Sequence, residues 1–161
     1  MKPIKIILSV FLSCALLFSM LSCSLLKGEK EQPETNESTA ALHEIPVRVE
    51  GLWTNATHVE SKTFGEGAKT LSVVVEAEGQ AVLFTIHTDK TTVGEALLEH
   101  GLIEGDQGAY GMYVKKVNGI TADYDIDQSY WSFNINGEYA MSGVDTTDIT
   151  EGVTYSLVYT K

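Results

Sequence analysis

Thr91-Thr92-Val93-Gly94-Glu95-Ala96-Leu97-Leu98-Glu99-His100-Gly101-Leu102-Ile103-Glu104 is the one stretch of this 161-residue chain that reads as a helix. Thr92 fits an N-cap with Glu95 three residues on, the spacing of a capping box. Val93, Ala96 and Leu97 fall on one helical face. Gly101 suits the left-handed position just past the end. So short a helix must draw its stability from packing on something else, and what surrounds it is patterned for strands.

Upstream, Leu71, Val73, Val75 and Ala77 alternate with more exposed positions, as in a half-buried strand. Glu78-Gly79-Gln80 reads as a tight turn, and Val82, Phe84 and Ile86 resume the alternation, which gives a hairpin. Downstream, Glu104-Gly-Asp-Gln-Gly108 reads as a loop. Met112, Val114 and Val117 make a third strand, ended by the Asn118-Gly119 hairpin signal. Trp131, Phe133 and Ile135 make a fourth, turned by Asn136-Gly137 into Tyr139 and Met141. Val153, Tyr155, Leu157 and Tyr159 make the last, after Glu151-Gly152. The order predicts an α+β domain: one short helix packed on a mixed β-sheet, β-grasp-like in its sequence of elements. Before the first hairpin, Val47, Val49 and Leu52 are expected as a short strand, Trp53 as a core residue and Thr63 to Gly67 as a turn.

The ends set the organisation. Lys2 and Lys5, the apolar run Ile6 to Leu21, and Ser22 before Cys23 form a secretory pattern. Residues 1–22 are read as a lipoprotein signal peptide with Cys23 as the acylated first residue. The other reading is an uncleaved membrane helix over Ile6 to Leu26, close to the roughly 20 apolar residues that span a bilayer. Both place the chain at a bacterial cell membrane, facing outward, and the first makes it lipid-anchored there. Residues 23–43 are polar and Glu-rich, a flexible acidic linker, and 44–161 form a single domain.

The two cysteines, Cys14 and Cys23, leave the exported domain no thiol for a disulfide, a nucleophile or a metal. The formal charge is −11. Without residues 1–22 it becomes −13, with 9 basic against 22 acidic residues. So acidic a chain without a basic stripe is not a nucleic-acid binder.

Motifs for catalysis are missing: no G-x-S-x-G, P-loop, HExxH or Cys/His pair occurs. The reading is of a non-enzyme that requires no cofactor. His43, His58, His87 and His100 lack the spacing of a helical metal pair and are expected in surface or loop positions. Asp123-Tyr-Asp125-Ile-Asp127 opens like a calcium loop. Gln128 and Asn134 stand where Gly and Glu are needed, so a solvated turn is expected. In the aromatic strand, Trp131, Phe133 and Ile135 share one face, expected in the core, and Tyr130, Ser132 and Asn134 share the other. Tyr130, Asn134, Asn136 and Tyr139 offer apolar area with polar tips, which suits a ligand surface.

The segments Thr92 to Ile103, Gly111 to Ala122 and Tyr130 to Lys161 together resemble the transcobalamin-like C-terminal domain of bacterial exported lipoproteins. Trp53-Thr-Asn-Ala56 and Phe64-Gly-Glu-Gly-Ala-Lys-Thr70 resemble clostridial-type lipoproteins of that group. The resemblance implies a membrane-tethered extracytoplasmic module that binds a small ligand, with cobalamin or another corrinoid as the candidate. It implies Trp131, Phe133, Asn134, Asn136, Tyr139 and Met141 as ligand-binding candidates, to which the polar-tipped surface adds Tyr130, and a membrane transporter as a partner. The alternative function is protein–protein interaction or adhesion at the cell surface, since Tyr and Trp favour interfaces.

Overall fold

A computed structural model describes residues 47–109 and 111–161, all within one compact unit, Ala40–Lys161. The signal peptide, Cys23, the linker and His43 lie outside the described residues. Nine strands run in chain order: β1 Lys62–Phe64, β2 Lys69–Ala77, β3 Gln80–Thr88, β4 Ile103–Gly108, β5 Gly111–Val117, β6 Ile120–Thr121, β7 Tyr130–Ile135, β8 Glu138–Tyr139 and β9 Thr154–Thr160. Helix α1 (Val93–Glu99) follows β3, and the single helical turn α2 (Tyr124–Asp127) precedes β7. Short 3-10 turns occupy Gly51–Asn55 and Val144–Thr146.

Six strands form a mixed sheet in the order β1-β3-β2-β9-β7-β8, and β4-β5-β6 form a second, antiparallel sheet. The first and last long strands, β2 and β9, lie side by side and parallel in the middle, with Val73 opposite Tyr155. Hairpins close against each of them. This is the β-grasp arrangement expected from the order of elements, with a second sheet inserted between α1 and β7. Both edges of the larger sheet carry strands of only two or three residues, which leaves little unpaired backbone as a template for aggregation.

The local chemistry explains the elements. Leu71, Val73, Val75 and Ala77 of β2 and Val82, Phe84 and Ile86 of β3 are buried on one face, joined in one core with Trp131, Phe133, Tyr155 and Leu157. Three hairpins turn on two residues with positive φ: Glu78-Gly79, Asn118-Gly119 and Asn136-Gly137. That is the twist-matched geometry of two-residue loops. Thr92 caps α1, its hydroxyl accepting from Glu95 N–H at 3.3 Å while the Glu95 carboxylate accepts from Thr92 N–H at 3.2 Å. At the other end Gly101 is left-handed, Gly101 N–H donates to Leu98 O and Leu102 N–H to Leu97 O. This Schellman pair satisfies the last carbonyls. Gly94 lets α1 lie against the Val144–Thr146 turn, since a Cβ there would sit 2.8 Å from Asp145 Cα.

Several expectations are corrected. Glu104 to Gly108 is strand β4, not a loop. Its residues are mostly exposed and it is held by backbone pairing to β5 with a register shift at Glu104/Gly105, so no apolar alternation marks it. Val47, Val49 and Leu52 form no strand. Leu52 and Trp53 lie in a 3-10 turn, with Trp53 fully buried and its Nε1–H donating to Ala77 O at 2.9 Å. Of the turn expected at Thr63 to Gly67, Thr63 and Phe64 instead belong to β1, which pairs parallel to β3. Met141 lies beyond β8.

Candidate functional site

A hollow of about 340 Å³ opens between the two sheets. Trp131 and Phe133 of β7 and Leu157 of β9 line it from one side, and Met112, Tyr113 and Val114 of β5 from the other. The segment Tyr139 to Val144 closes it. None of the lining residues carries a charge, so the site suits a body that is mostly apolar.

Its walls are held by specific contacts. The Phe133 ring stacks on Tyr155 at 6.1 Å, and Trp131 meets Tyr159 edge-on at 5.6 Å. The Tyr155 hydroxyl donates to Asp148 O and accepts from Thr150 N–H, which ties the segment after the hollow to β9. Thr147 Oγ1 donates to Gly143 O at 2.8 Å and shares a hydrogen bond with Ser142 Oγ. Asp145 Oδ2 accepts from Met112 N–H at 2.9 Å, linking that segment to β5.

Two polar atoms at this corner lack partners. Trp131 is 7% exposed, and its Nε1–H is buried with no hydrogen-bond partner among the described residues. Asp145 Oδ1 is likewise buried and unpartnered. A buried donor without an acceptor costs about 1–3 kcal/mol relative to a satisfied one.

Of the residues singled out from sequence, Tyr130, Trp131, Phe133, Tyr139 and Met141 come together around the hollow. Tyr139 and Met141 stand at its rim, 67% and 97% exposed. Asn134 and Asn136 do not line it. Asn136 is spent on its turn: its N–H donates to Thr154 O and its Oδ1 accepts from Thr154 N–H. Asn134 Nδ2 is turned to Ser132 O. The hollow therefore opens on the Trp131–Phe133 face, not on the Tyr130–Asn134 face that the polar tips favoured. Sequence reasoning missed Met112, Tyr113 and Val114 as lining residues, and with them Ala140 and Ser142 to Val144. Only the exposed Tyr113 between Met112 and Val114 could have pointed to them.

The scattered histidines are partly gathered. His87 and His100 border a cleft of about 420 Å³ with Glu66, Asp89 and Glu99. His87 Nδ1 lies 3.3 Å from Thr70 Oγ1, Asp89 Oδ1 accepts from Ala68 N–H, Glu99 pairs with Lys90, and the His100 ring packs on Phe64 with its Nε2 buried and unpartnered among the described residues. Among the described residues no group of three or more His, Cys, Asp or Glu side chains converges as a metal site. The aspartates of 123–127 diverge as well. Asp123 caps α2 through Asp125 N–H, whereas Asp127 accepts from Ser129 and from Lys161 Nζ at 3.0 Å. His58 makes edge contacts with Phe64 and Phe84, and burial, with the Lys62 charge behind it, lowers its pKa from 6.5.

The fold and hollow define a β-grasp-like domain with a ligand-sized, uncharged site. Residues 90–159 match the model of a domain of unknown function, DUF4430. No curated protein matches the chain. Among solved structures, a Ruminococcus gnavus protein described as a candidate metal-binding protein is 29% identical. Its match covers 58% of this chain and 97% of that one, with a TM-score of 0.55. Haptocorrin in complex with Cbi is 16% identical with a TM-score of 0.46, covering 61% of this chain and 26% of haptocorrin. The chain thus spans about a quarter of haptocorrin's length.

Proposed function

We propose that the domain is a non-catalytic binding module that holds a small, mostly apolar ligand in the hollow beneath Trp131, with a hydrogen-bond acceptor facing the indole nitrogen. The uncharged hollow lined by Trp131, Phe133, Leu157, Met112 and Val114 carries this reading, and the buried, unpartnered indole N–H of Trp131 is the polar group an acceptor would meet once the ring shifts to admit it. An apolar hollow with a few placed polar groups is the usual form of a small-molecule site, and here the polar group is a donor without a native acceptor. The transcobalamin-like sequence resemblance makes a corrinoid the first ligand to try. A hollow of about 340 Å³ is smaller than a corrin ring, so it would seat an edge and a carbonyl-bearing side chain of the macrocycle rather than enclose it. Acylation at Cys23 would tether the module to the outer face of a bacterial membrane, where it would pass its ligand to a transporter.

The test is a titration of the 15N-labelled chain with cobinamide. The Trp131 indole resonance is expected to move and saturate while that of Trp53 stays fixed. Trp131→Phe, which keeps an aromatic ring and removes the donor, should weaken binding about tenfold. No movement of either resonance at high micromolar cobinamide would remove the corrinoid version. The exposed rim of Tyr139 and Met141 favours a second reading, docking of a partner protein. A specific membrane protein recovered with the chain, and lost on Met141→Asp, would support that one.

A further inference from the structure

A second hollow, of about 470 Å³, shares Tyr113 and Tyr130 with the first. Tyr113, Tyr124 and Tyr130 line it together with Lys115, Asp123 and Asp125. We propose that it binds an organic cation of the trimethylammonium type, seated among the three phenol rings with the Asp125 carboxylate beside it. This site does not rest on the ligand-binding role of the hollow beneath Trp131.

Three observations carry it. First, the rings are open: among the described residues none of the three tyrosines packs against another aromatic ring. Second, the fold does not need Tyr124 where it stands. No residue of α2 is buried, and Tyr124 is 57% exposed. Third, the charge is unbalanced. Lys115 Nζ pairs with Asp106 at 2.6 Å, and Asp123 and Asp125 act on it from farther off. Asp123 and Asp125 have no ion pair among the described residues, on a chain of net charge −11.

Aromatic faces attract cations through the ring quadrupole, and weakly hydrated alkylammonium groups gain most because little water must be stripped from them. A small metal ion would need converging oxygens, and the aspartates here diverge.

Choline is the probe, titrated into the full chain in nonionic detergent with 13C-labelled tyrosine. Its neutral isostere 3,3-dimethylbutanol and the neutral sugar methyl glucoside serve as comparisons. The proposal expects saturable shifts of the Tyr113, Tyr124 and Tyr130 ring signals with choline, and binding of the isostere at least about fivefold weaker. Tyr124→Phe should bind as the parent does, and Tyr124→Ala about threefold or more weaker. Asp125→Asn should weaken binding and flatten its dependence on salt. These positions are exposed, so unchanged thermal melting would show that the variants fold. Equal binding of choline and the isostere, shifts that never saturate, or saturation by the sugar in place of choline would each overturn it. Loss of cobinamide binding with choline binding retained would overturn the other site alone.

Discussion

The two tryptophans sit in opposite circumstances. Trp53 is fully buried and its indole N–H is bonded to Ala77 O. Trp131 is nearly as buried, yet its indole N–H is bonded to nothing described. The same division runs through their surroundings. Around Trp53, the buried Asn118 places its amide on both backbone groups of His58 and its own N–H on Leu102 O. Around Trp131, Asp145 Oδ1 is also left over, and the rim residues Tyr139 and Met141 lie open to solvent. One region is completed by the fold. In the other, two buried polar atoms have no hydrogen-bond partner among the described residues. Binding surfaces are drawn from such incompletely satisfied parts of a structure because filling them recovers free energy the fold leaves unclaimed.

The largest expected break between the regions is at their contact. Gly94 on α1 touches the turn that carries Val144 and Asp145, and Gly94→Ala would drive a Cβ to within 2.8 Å of backbone. It should cost about 2–3 kcal/mol in urea unfolding and weaken ligand binding as well, because Val144 lines the hollow. Next is Thr92→Ala. It removes the capping box at the start of α1 and should cost about 1 kcal/mol. Since the cap belongs to the completed region, binding should be unchanged.

Smallest are the pH effects, which fall on His58 and Asp127. His58 has its pKa lowered by burial and then by Lys62, so the unfolded chain takes up its proton first. Its contribution should be whole above pH 6.5 and should shrink below it. Asp127 acts in the acid range. Its hydrogen bonds to Ser129 and Lys161 lower its pKa from 3.8 to about 2. The stability it lends is present above 3.8 and is lost as pH falls toward 2. Asp127→Asn should remove the acid component alone, visible as a flatter stability curve below pH 4.

What the sequence disclosed follows the same division. Alternation in β2, β3, β7 and β9, the capping box and the Asn-Gly turns are each local and strong, and the β-grasp order of elements follows from them. Strand β4 was hidden because backbone pairing alone holds it, and β1 because three residues at an edge need no apolar pattern. Five of the seven candidate ligand residues gather at the hollow, since aromatic side chains near a turn announce themselves. Asn134 and Asn136 do not line the hollow, because amides that offer polar tips to a ligand serve equally well in local hydrogen bonds to the chain. Met112 to Val114 stayed out of view because their approach to β7 is a tertiary fact with no local signature.

The contrast between the tryptophans can be tested without any ligand. Urea unfolding of Trp53→Phe and Trp131→Phe, each against the parent chain, reads the worth of the two indole N–H groups. Trp53→Phe should cost about 2 kcal/mol or more, from lost volume and the lost indole hydrogen bond to Ala77 O. Trp131→Phe should cost less than about 1 kcal/mol, or stabilise, because the lost volume is offset by removal of an unsatisfied donor. If Trp131→Phe proved as costly as Trp53→Phe, the Trp131 nitrogen would be satisfied within the folded chain, and the corner would hold no place reserved for a ligand.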